Sequence, residues 1–156
     1  MTESDAVDLI HLEDVDGNRC VVRVTGRDRP GVLTGHDILR ADVLASADFV
    51  DARLELFLLQ GDLDAWQRDL ARLGPGADAT IGGDRGPSLA FHLYEDRSLS
   101  VTVDDPDHLT ATLSLRPRET WVQEHQRRLE RVRETWPSDV VETAPMAYAW
   151  RPGRRR

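Results

Sequence analysis

The stretch "IGGDRGPSLAFHLYEDRSLSVTVDDPDH", residues 81–108, decides how the chain is read. Its glycines, acids and histidines suit a phosphate loop, a metal site or a pair of hairpins. A phosphate loop needs its glycines to open into a helix N-terminus, where free N–H groups point at the anion. Here "GGDRG" leads into alternation instead. Leu89, Phe91 and Leu93 alternate with Ala90, His92 and Tyr94, and "EDRS" is a turn. Leu99, Val101 and Val103 then alternate with Ser100, Thr102 and Asp104, and "DDPD" is a second turn. Leu109, Ala111, Leu113 and Leu115 alternate with Thr110, Thr112 and Ser114. Three period-two runs in succession predict an antiparallel meander with one apolar and one polar face. The glycines are then a strand end and a turn.

Upstream, Val7–Leu12 reads as a strand and Asp16-Gly17 as a hairpin turn, followed by the strand "RCVVRVTG". "RDRPGVLTGHD" is a loop. The apolar run that follows is too rich in β-branched residues and alternation for one helix. It predicts strands near 38–46 and 50–59. Leu63, Trp66, Leu70 and Leu73 then fall at helical spacing, with Asp62 as N-cap and Gly74-Pro75 as the stop. Downstream of the meander, Trp121, Val122, His125, Leu129, Val132 and Trp136 form one helical stripe that ends at Pro137. Thr120 and Gln123 fit a capping box there. Arg127, Arg128, Glu130, Arg131 and Glu134 make its solvated face. Residues 138–156 show no periodicity and read as a tail. No internal repeat is apparent. The expected fold is α+β: residues 1–137 as a single domain with a mostly antiparallel sheet of about six to eight strands and two helices on one face.

The chain has 156 residues and net charge −8, and all 20 of its basic residues are Arg. A chain this long can bury a core without staples. Its acidity argues against a nucleic-acid binder and suits a basic protein partner. Four Arg within 151–156 are a slender basis for any nucleic-acid contact. The opening residues lack a leader pattern and no apolar run is long enough to span a bilayer, so a cytoplasmic protein with no membrane segment is expected.

Few residues suggest chemistry. Asp14, Asp16 and Asn18 resemble the opening of a calcium loop, but Arg19 and Thr25 stand where Gly and Glu are required. Asp104, Asp105, Asp107 and His108 surround a proline, as turn residues do. His11, His36, His92, His108 and His125 are scattered without zinc-site spacing. His125 reads as a hydrogen-bonded, half-buried residue. Cys20 lies mid-strand and reads as a small hydrophobe. Ser98, Ser100 and Ser114 lack a nucleophile-elbow setting. No cofactor, metal or catalytic constellation is expected. The strip carrying Met146, Tyr148 and Trp150 either packs back on the body or is a contact surface.

The polar side of the meander is the feature that points to a function. His92, Tyr94, Thr102, Asp104, Thr110 and Thr112, with Ser100 and Ser114, would form a broad platform suited to protein recognition. Together with the acidity, this predicts a non-enzymatic protein-binding module, in the manner of an immunity protein or antitoxin masking its partner. The alternative is a small-molecule enzyme or ligand-binding protein in which Arg85, His92, Arg97 and Asp104 converge as the hairpins curl.

The segments "DLIHLEDVDGNRCVVRVTGRDRPGVLTGHDILRADVL", "FVDARLEL", "DLDAWQRDL", "IGGDRGPSL", "LSVTVDDP" and "WVQEHQRRLERVRETWP" resemble an uncharacterised family of small actinobacterial proteins, carried as a domain of unknown function. The resemblance runs over roughly residues 7–150 and transfers no site residues, since that family has no assigned activity. The element order is also distantly similar to that of WapI-type immunity proteins, a likeness of layout only.

Overall fold

The computed structural model describes residues 5–83 and 86–153. The chain forms β1 (Val7–Glu13), β2 (Arg19–Arg27), β3 (Leu39–Ala47), β4 (Val50–Leu58) and α1 (Gln60–Arg72). It repeats that order as β5 (Asp78–Gly82), β6 (Ser88–Leu93), β7 (Leu99–Asp105), β8 (Leu109–Leu115) and α2 (Trp121–Thr135), then closes with β9 (Val140–Ala144) and β10 (Ala147–Trp150). The class is α+β and the pairing antiparallel throughout. The expected single sheet of six to eight strands is corrected: there are two four-stranded meanders, β1-β2-β3-β4 and β5-β6-β7-β8, and a separate two-stranded hairpin. Alternation identifies strands and their buried faces, but it does not say where one sheet stops. The stop is set by α1, which carries the chain from the edge of the first meander to the start of the second.

Both meanders and both helices feed one core. Cys20, Val22, Val24, Ala41, Val43, Leu56 and Leu58 come from the first meander. Leu89, Phe91, Leu93, Leu99, Val101 and Val103 come from the second. The helices do not share one sheet face. α1 lies against β5 and α2 against β1, so each helix packs on the opening strand of the other meander, and the two helices touch. Trp66 of α1 meets the Phe91 ring at 5.1 Å between centroids. The halves correspond residue by residue at one constant offset: Leu54 and Leu113, Leu56 and Leu115, Trp66 and His125, Leu70 and Leu129, Leu73 and Val132. This is a repeat that the sequence conceals, because the central position of the helical stripe is Trp in one half and His in the other.

Local capping differs from expectation. Asp62 lies inside the first turn of α1, where its carboxylate accepts the Leu59 N–H at 2.8 Å. Thr120 makes no capping bond to backbone; its hydroxyl donates to Glu124 at 2.9 Å. Gly82 has φ +86° and a Cβ there would lie 2.7 Å from Leu56 Cδ1, so glycine is required where β5 ends against β4.

His125 is fully buried rather than half-buried. Its Nδ1–H donates to the Trp121 carbonyl at 2.7 Å, and its Nε2 accepts the His11 backbone N–H at 3.0 Å. The imidazole thus satisfies an amide on the outer edge of β1, next to the register shift between Asp8 and Ile10. It is neutral, because burial, the largest influence, lowers its pKa from 6.5 to about 4. The unfolded state binds this proton more tightly than the folded state. The stabilisation is therefore complete above pH 6.5 and is lost as pH falls towards 4. Its full size is about 3 kcal/mol. We expect His125→Phe to cost ~1–3 kcal/mol at pH 7, by orphaning the His11 N–H. Urea unfolding of both proteins between pH 7 and 4 should show the gap narrowing as pH falls; a constant gap would contradict this role.

Residues 140–150, within the stretch read as aperiodic, form the β9–β10 hairpin. An isolated two-stranded hairpin is marginal in water. This one is pinned at its base by Asp37, whose carboxylate accepts the N–H groups of Asp139 (3.0 Å) and Val140 (3.0 Å) and the Ser138 hydroxyl (2.9 Å). Arg27 donates to the His36 carbonyl (2.8 Å), the Pro137 carbonyl (2.8 Å) and Asp37 (3.3 Å). His36 Nε2 contacts Asp139 at 2.9 Å, and the Trp150 ring stands edge-on to His36 at 5.0 Å. Packing is confined to that end, since Met146 at the far turn is 83% exposed. Asp37→Ala should raise amide exchange across Val140–Trp150 by about tenfold or more, while β6 and β7 keep wild-type protection. Unchanged exchange in the hairpin would show that something other than the Asp37 carboxylate holds it.

Candidate functional site

The outer face of the second meander assembles the residues singled out from the sequence. Strand register sets them in rows. Asp78, His92, Ser100 and Ser114 form one row, and Thr80, Ala90, Thr102 and Thr112 the next. Ser88, Asp104 and Thr110 form a third. Tyr94 stands at the end of β6 with its ring edge-on to His92 at 4.5 Å. His92 Nδ1 contacts Asp78 at 2.5 Å, Thr102 and Thr112 share a hydroxyl bond at 3.1 Å, and Thr110 donates to Asp104 at 2.6 Å. Thr80, Ala90, Thr110, Thr112 and Ser114 are exposed, so nothing among the described residues covers the face.

The outer side of the first meander has a different character. Arg23 pairs with Asp8 at 2.7 Å, Arg53 with Asp42 at 3.1 Å, and Arg40 with Glu55 at 3.5 Å. One sheet therefore shows water a lattice of ion pairs, and the other a field of hydroxyls with a Tyr and a His. Among the described residues, no Arg lies within the three hydroxyl rows. Hydroxyls lose water at much lower cost than charges, and interface centres are depleted in charged residues and enriched in Tyr.

The alternative grouping does not form. The rows of His92 and Asp104 are four residues apart along β7, about 13 Å. Arg97 lies in the β6–β7 turn with φ 73°, at the far end of β7 from Asp104. Arg85 lies outside the described residues. Asp14 acts as a turn residue, accepting the N–H groups of Asp16 (3.0 Å) and Asn18 (3.1 Å). Asp105 contacts His108 at 3.5 Å, and among the described residues no three metal-ligating side chains come together. Cys20 is buried, and burial pushes its thiol up to about 12, which leaves it unreactive.

Two concavities were not visible in the sequence. An apolar groove of about 420 Å³ opens between the ends of the β3–β4 and β7–β8 hairpins, lined by Val50, Ala52 and Leu54 and by their counterparts Leu109, Ala111 and Leu113. A cleft of about 710 Å³ lies beside β1 and α2, lined by Asp8, Arg23, Thr25, Arg128 and Arg131. Arg128 and Arg131 belong to the helix face read as merely solvated. Only the packing of α2 on β1 brings them next to Arg23.

No curated protein and no solved structure matches the chain. A family match covers residues 7–137, from the first strand to the end of α2, and leaves the β9–β10 hairpin outside it. On that coverage the chain belongs to the Family of unknown function (DUF5959).

Proposed function

We propose that this chain is a protein-binding module whose contact face is the outer side of the β5–β8 meander. The observation that supports it is the uncovered, charge-poor field around Thr102 and Thr112, with Tyr94 and His92 at one end, on a rigid sheet. The hydroxyl face offers hydrogen bonds over a broad area, and its concavity beside Tyr94, Ser100, Thr112 and Ser114 is a shallow, open depression, which fits recognition better than catalysis. The acidic chain, net charge −8, suits a basic partner by raising encounter rates and disfavouring acidic competitors. In its finer form this is a cytoplasmic immunity-type role, with the face covering a basic active site. That form rests on size, acidity and distant likeness of layout.

The test is affinity capture from native lysate with wild type, a Thr102→Arg/Thr112→Arg double variant and, as control, Arg53→Ala on the other meander. Wild type and Arg53→Ala should retain one stoichiometric partner that is lost as salt rises. The double variant should lose it while keeping a native circular dichroism spectrum. Equal capture by the double variant would remove the face from the interaction.

A further inference from the structure

We infer that the cleft between the edge of β1 and α2 is a binding site for a small organic phosphate. It lies on the first meander, and this inference stands or falls separately from the protein-binding face. Three guanidinium groups and one carboxylate line the cleft. Asp8 is committed to Arg23, which donates through Nε at 2.7 Å and a terminal nitrogen at 3.4 Å. Arg128 donates to the Asp8 backbone carbonyl at 3.3 Å, a neutral acceptor that leaves its charge uncompensated. Its Nε is sealed inside the protein, as are Trp66 Nε1 and Arg133 Nε, so contact with a ligand falls to its terminal nitrogens. Arg131, on the same face one turn further along α2, has no acceptor for its side chain among the described residues.

Among the described residues that line the cleft, the balance is two positive charges in excess, in a chain whose net charge is −8. Repulsion between Arg128 and Arg131 is a cost that an anion relieves. A phosphate monoester carries roughly −1.5 to −2 charges at neutral pH and three acceptor oxygens. Guanidinium forks match those oxygens in bidentate geometry. Thr25 also lines the wall, but its hydroxyl donates to the Arg40 carbonyl at 3.2 Å, which leaves the guanidinium groups as the donors to phosphate. The volume, about 710 Å³, exceeds what a bare phosphate fills and lies in the range of small-molecule sites. The organic part of the ligand would occupy the remainder. A nucleic-acid chain fits poorly, because the surrounding acidity repels every phosphate beyond the one in the cleft.

Titration of the full chain with inorganic phosphate and with glucose 6-phosphate, at constant ionic strength and followed by NMR of the Arg side chains, tests this directly. Wild type should give saturable shifts at Arg23, Arg128 and Arg131, with the sugar phosphate binding more tightly than phosphate alone. Arg131→Gln should weaken binding about tenfold or more through loss of a charge-assisted contact. Arg127→Gln, on the same helix but outside the cleft, should leave it unchanged. Absence of saturable shifts with either probe, or equal weakening by both substitutions, would overturn the assignment. Binding of phosphate but not of the sugar phosphate would overturn its organic part.

Discussion

Each helix is held by the strand that opens the other meander, and the rest of the structure depends on that exchange. Had α1 packed back on its own meander, each half would need to bury both sheet and helix alone, with about half the core. Crossing over lets Leu63, Trp66 and Leu70 of α1 and Leu129 and Val132 of α2 close one shared interior. The exchange also explains the buried imidazole. β1 presents an edge to α2, and His125 supplies the acceptor that the His11 amide would otherwise lack. The corresponding position in α1 is Trp66, whose fully buried indole packs on Phe91 and leaves its Nε1–H without a partner among the described residues.

Committing the helices to β1 and β5 leaves the outer sheet faces open, and their chemistry diverges. The first meander neutralises itself with Arg–carboxylate pairs. The second carries Thr and Ser in register, with Thr102 and Thr112 satisfying one another and the carboxylates of Asp78 and Asp104 held by His92 and Thr110. The same packing brings α2 beside β1 and turns ordinary surface arginines into the wall of a cleft. The open hydroxyl face thus belongs to the second half alone, whereas the Arg cleft is built jointly by β1 and β2 of the first half and α2 of the second.

Much of this was legible in the sequence where structure is local. Leu89 to Leu115 alternates between its turns, so three strands of the second meander and their polar side chains are plain in the sequence, whereas β5, five residues ending in glycine, is not. The helical stripes from Leu63 and Trp121 were equally plain. What escaped depends on contacts between distant residues. The division into two sheets follows from where α1 sends the chain, which alternation does not encode. The repeat was hidden because Trp66 and His125 share a position but no chemistry. "VVETAPMAYAW" has too short an alternation to announce a hairpin, and the Asp37 anchor lies about a hundred residues away in sequence. The Arg cleft joins β2 to α2 across a similar separation.

Native-state hydrogen exchange in low concentrations of urea tests the shared core most directly. If the helices interlock the two meanders, the slowest amides of β2, β3, β6 and β7 converge on a single opening free energy as urea is raised. If one meander opens at a distinctly lower free energy while the other stays protected, the halves are separate units, and the exchange of helices is not what holds the protein together.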